Sequence, residues 1–91
     1  MSHLNADADA LLKRVRRISG QVAAIERSLE EGAECGDTLH LIAATRGALN
    51  GLLDEVLEAH VRAHVAHPDL SAEARADGAD ALIAAIRRYS K

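Results

Sequence analysis

The sequence predicts an all-α protein of three helices. Its composition is rich in good helix formers, with one Tyr, no Phe, no Trp and a single Pro among 91 residues. Apolar positions recur in steps of three and four, and helix-ending residues stand between the periodic stretches.

Leu11, Val15, Ile18, Val22, Ile25 and Leu29 step alternately by four and three, the seam of a packed helix, so helix one is expected from Asp7 to Glu31. Asn5 or Asp7 can cap its start, and Gly32 can take the left-handed conformation that ends it. A loop from Ala33 to Gly36 follows. Asp37 is the expected N-cap of helix two, which holds Leu39, Ile42, Leu49, Leu52, Leu53, Val56, Leu57 and Val61 before Pro68 stops it. A helix of nearly thirty residues spans on the order of 40 Å, longer than a small monomer covers on its apolar faces, so a partner subunit is expected. Gly47 and Gly51 inside it suggest close helix crossing at that seam, because glycine in a helix interior is otherwise unfavourable. Ser71 then caps a third helix with Ala74, Ala81, Leu82, Ile83, Ile86 and Tyr89. Residues 1–91 read as one domain.

One cysteine cannot form a disulfide within the chain, and neither a signal peptide nor a long apolar run is visible. A reducing cytoplasm is the expected compartment, with no membrane partner. The formal net charge of −3 conceals a basic cluster, Lys13, Arg14, Arg16 and Arg17, within about one helical turn. With Leu11, Val15, Ile18 and Val22 inward, Lys13, Arg16, Arg17 and Arg27 point outward and Arg14 lies on the flank. A solvated face explains most such runs. Repeated by oligomer symmetry, however, this one becomes a surface able to follow the phosphates of duplex DNA. No helix-turn-helix is visible, and aromatics for base stacking are lacking, so backbone and groove shape are the expected readout.

His60 and His64 stand at i and i+4, which sets both imidazoles on one helix face within reach of one metal ion. Two solvated histidines near a helix end are the plainer alternative. Cys35, at a helix start, suits a ligand or a reactive thiol, and equally a small apolar packing residue. If helices one and two form an antiparallel hairpin, His3 falls near His60 and His64, while Cys35 lies on the order of 35 Å away along helix two. Two hairpins packed antiparallel about a twofold axis bring Cys35 of one copy opposite the histidines of the other. The expected site therefore bridges a dimer. His40 and His67 are left as surface or interface residues. An enzyme built on Cys35 and a histidine lacks an orienting third group and an oxyanion motif, so no catalytic activity is expected.

Three stretches carry a resemblance: VRRISGQVAAIERSLEEGAEC from Val15 to Cys35, LIAATRGALNGLL from Leu41 to Leu53, and EAHVRAHVAH from Glu58 to His67, with RRYSK at the end. Together they resemble the CsoR/RcnR/FrmR family of small bacterial repressors over nearly the whole chain. The resemblance implies a three-helix protomer, an antiparallel four-helix-bundle dimer and a dimer of dimers, bound to operator DNA without inducer and released by it. Family members differ at a few ligand positions, which fall here on His3, Cys35, His60 and His64. That pattern resembles the branch responsive to Ni(II) and Co(II), in which the terminal amine also coordinates, here that of Ser2 once Met1 is removed. Zn(II) is a further candidate inducer. The copper branch has a second cysteine at the position of His64, and Cu(I) prefers such soft ligands. The formaldehyde branch pairs an amino-terminal proline with the cysteine. Ser2 and His64 depart from it, yet VRRI and AIERSLEEG resemble it, so a formaldehyde response through Cys35 stays as the alternative.

Overall fold

The computed structural model describes residues 8–89. Three helices follow in order, α1 (Ala8–Glu30), α2 (Cys35–His64) and α3 (Ala72–Tyr89), with no strand among the described residues. The all-α expectation holds. Asn5 and Asp7, the candidate caps of helix one, lie outside the described residues.

The end of α1 follows the sequence closely. Gly32 takes φ 66°, and two hydrogen bonds, Ala33 N to Ser28 O at 3.0 Å and Gly32 N to Leu29 O at 3.4 Å, close a Schellman turn. The start of α2 differs from expectation. Cys35 opens the helix, and the Glu34 carbonyl accepts from Asp37 N at 3.0 Å and Thr38 N at 3.2 Å, so Asp37 lies inside the first turn rather than capping it. Its carboxylate there still favours the positive end of the helix dipole. At the other end α2 stops at His64, four residues before Pro68. Ser71 caps α3 as expected, its Oγ accepting from Ala74 N at 3.0 Å.

The helices divide into two compact units: α1 with α2 as far as Leu53, and the remainder of α2, from Asp54, with α3. In the first unit the chain runs antiparallel, with the Ser28 and Thr38 hydroxyls 2.6 Å apart near the turn and Arg14 beside Gly51 further along. The α1 row facing α2 is Leu11, Arg14, Ile18, Gln21, Ile25 and Ser28, all buried or half-buried. The matching α2 row is Thr38, Leu41, Thr45, Ala48 and Leu52. Thr45 satisfies its hydroxyl by donating to Leu41 O at 2.7 Å.

This corrects the expected inward face. Leu11, Ile18 and Ile25 turn in, but Val15 and Val22 stay 44% and 52% exposed, and Leu29 is also exposed. The reason is geometric: steps of four and three spread apolar residues over a stripe wider than one neighbouring helix covers. On α2 the exposed counterparts are Leu39, Ile42, Leu49 and Leu53. Each helix of this unit thus has one row packed within the chain and a second apolar row in solvent. Gly47 has open space around it.

In the second unit Leu82 is half-buried, whereas Ile83, Ile86 and Tyr89 are exposed. Arg75 reaches the polypeptide that follows α2, donating from Nη1 to Val65 O and from Nη2 to Leu70 O at 3.4 Å. Those carbonyls follow the end of a helix and need a donor from elsewhere.

Candidate metal centre and basic face

His60 and His64 occupy the last two turns of α2, half-buried, with ring centroids 4.9 Å apart and ring planes tilted by 40°. Helical periodicity alone sets this pairing, since residues four apart share a face. A neighbouring helix then constrains it: His60 Nε2 lies 2.9 Å from the Gly78 carbonyl oxygen of α3. A carbonyl only accepts, so Nε2 carries the hydrogen.

Cys35 is the first residue of α2 and is exposed. The Schellman turn of α1 and the Ser28–Thr38 hydroxyl contact fix the bend that presents it. Cys35 and the histidine pair therefore occupy the two ends of one unbroken helix. Among the described residues no group of three or more His, Cys, Asp or Glu side chains is gathered as a metal site. His3 and Ser2 lie outside the described residues. His40 and His67 are exposed, and His67 Nδ1 accepts from Asp69 N at 3.1 Å.

On α1, Lys13, Arg16 and Arg17 are exposed as expected, with Arg27 on the same helix. Arg14 is not on the flank. It belongs to the row containing Leu11 and Ile18, is half-buried, and lays its guanidinium over Gly51, where an added Cβ would stand 3.1 Å from Nη1.

Two residues of this region escaped sequence reasoning, Arg75 and Gly78. Gly78 is buried within α3, and a Cβ built on it would overlap the His64 carbonyl oxygen and lie 2.9 Å from the His64 Cβ. The signal that could have found it is the one applied to Gly47 and Gly51, a glycine in a helix interior. Arg75 offers no comparable pattern in sequence.

A family model described as metal-sensitive transcriptional repressor matches residues 7–88. The chain belongs to the CsoR/RcnR/FrmR family. Among its relatives is an uncharacterised protein from the bioA 5′ region of Serratia marcescens, 50% identical over 91 residues and matched along 100% of both chains. The transcriptional repressor RcnR of Salmonella paratyphi B is 38% identical, again over 100% of both. Among solved structures, a glutamate-to-histidine variant of the formaldehyde-responsive regulator FrmR from Salmonella enterica serovar Typhimurium matches with a TM-score of 0.87 and 41% identity, covering 97% of this chain and 99% of that one. Membership of the CsoR/RcnR/FrmR family makes the protein a transcriptional regulator rather than an enzyme. No helix among the described residues is long and apolar enough to cross a membrane.

Proposed function

We propose that this protein is a single-domain cytoplasmic repressor that holds operator DNA without inducer and releases it on binding Ni(II) or Co(II), derepressing genes for metal efflux. The observation that carries the reading is the histidine pair: two imidazoles on one face, 4.9 Å between ring centroids, at the end of a helix that begins with an exposed thiol. Imidazole with thiolate is a donor set for borderline transition metals, and Zn(II) fits it also.

Two imidazoles are too few for a tight site, and the exposed apolar rows supply the reason to look to a second copy. Val15, Val22 and Leu29 on α1, with Leu39, Ile42, Leu49 and Leu53 on α2, are exposed apolar side chains of the kind that a four-helix bundle of two copies would bury. An antiparallel dimer covers them, and Cys35 of one subunit then meets His60, His64 and His3 of the other, with the amine of Ser2 as a further donor. When bound, Ni(II) or Co(II) supplies a junction between subunits. The chain's own contribution is to hold the donors on two copies, so that closing the site favours one arrangement of the bundle.

Lys13, Arg16 and Arg17, exposed on α1, are the residues assigned to DNA phosphates, repeated by the dimer and by a dimer of dimers. Arg14, packed over Gly51, reaches DNA only by leaving that contact. By linkage, operator DNA and inducer weaken each other's binding by the same factor.

A formaldehyde response is the second reading. It is favoured by the exposed Cys35 thiol and by the 41% identity to the formaldehyde-responsive regulator. One titration separates the two: the metal-free protein on its own promoter fragment receives Ni(II), Co(II), Zn(II), Cu(I) or formaldehyde. Release at the lowest free concentration by Ni(II) or Co(II) is expected. Release by formaldehyde alone overturns the metal reading.

A further inference from the structure

Of the six glycines in the chain, Gly78 alone has no room for a side chain against backbone, because the His64 carbonyl fills the space where a Cβ would stand. That missing atom lets α3 lie against the last turn of α2. The same residue directs its own carbonyl to His60 Nε2 at 2.9 Å. One residue therefore touches the backbone of one histidine and the ring of the other. A neutral imidazole has a single N–H, so with the hydrogen held on Nε2 the lone pair is on Nδ1. Metal-ligating histidines commonly donate their second nitrogen to a backbone carbonyl, which fixes tautomer and ring orientation before the ion arrives.

We propose that Gly78 is a positioning residue for the inducer site: the close approach it permits holds His60 as the Nε2–H tautomer and selects Nδ1 as its donor atom. The proposal rests on the reading of His60 as a ligand. It requires nothing of the other polar contacts that His60 and His64 make.

The first test needs no variant. Nitrogen-15 NMR of the metal-free protein is expected to show His60 in the Nε2–H form, and a predominant Nδ1–H form overturns the assignment. The second test compares Gly78→Ala with the parent, reading both the tautomer and the affinity for Ni(II) alone. The substitution is expected to mix the His60 tautomers and weaken Ni(II) binding by about 10–100-fold. A variant that keeps parental affinity while its tautomer changes also overturns the proposal. If Gly78→Ala does not fold, the parental tautomer still decides. The outcomes separate the two ideas: Ni(II) binding with an Nδ1–H His60 sinks the positioning role and leaves the ligand reading intact. Failure of the parent to bind any metal sinks both.

Discussion

The two helix pairs of this chain are assembled by different means. In the α1 pair the intrachain seam mixes Leu11, Ile18 and Ile25 with Arg14, Gln21 and Ser28, and a second, wholly aliphatic row stays in solvent. In the α3 pair the contacts are polar and close to the backbone: Gly78 against the His64 carbonyl, His60 to the Gly78 carbonyl, Arg75 to Val65 O and Leu70 O. The first pair leaves its most apolar surface exposed. In the second, Gly78 touches the His60 ring and the His64 backbone, and Arg75 ties down the polypeptide that follows α2. Under the proposed function, assembly and ligand geometry would fall to separate parts of one short chain.

The sharpest way to break this comparison is to charge the exposed row. Val22→Asp places a carboxylate where another copy is expected to pack, and burying an unpaired charge costs several kcal/mol. Sedimentation is expected to show loss of the oligomer, with α-helical circular dichroism reduced because the half-bundle has little to bury alone. An unchanged oligomer would locate the subunit contact elsewhere.

The corresponding change in the other pair is smaller. Arg75→Ala removes two guanidinium contacts to backbone carbonyls, and hydrogen bonds to charged groups contribute about 1.5–3 kcal/mol. Chemical denaturation is expected to register a loss of that order, with oligomeric state unchanged. A shift to a smaller assembly at native concentrations would show that this pair also carries a subunit contact.

How much of this was legible beforehand follows the same division. Periodicity revealed three helices, and Gly32 and Ser71 fixed two boundaries because their conformational and capping roles are local. The face that turns inward was only half legible. Six apolar positions on α1 define a stripe, but which edge of it meets α2 depends on α2, so Arg14 and Val15 exchanged places relative to expectation. Asp37 lost the cap because the chain turns sooner, with Glu34 supplying the first acceptor carbonyl. The His60–His64 pair was legible from spacing, since a helix imposes it. Its support from Gly78 joins residues eighteen apart in sequence, where no local rule operates.

The most delicate probe lies in the α1 seam, where Gln21 Oε1 is buried without a hydrogen-bond partner among the described residues. An unmade hydrogen bond on a buried acceptor costs about 1–3 kcal/mol, while an apolar side chain of the same shape removes that cost. Gln21→Met keeps the length and the flexibility of the chain and deletes the acceptor. If the seam is closed within the protomer, the variant is expected to be more stable by about 1 kcal/mol in urea denaturation, with no change in assembly. If a donor within the seam reaches Oε1 in solution, the sign reverses and the variant is less stable by a similar amount. The direction of that one shift therefore decides whether Oε1 stays unsatisfied in the seam or has a donor there.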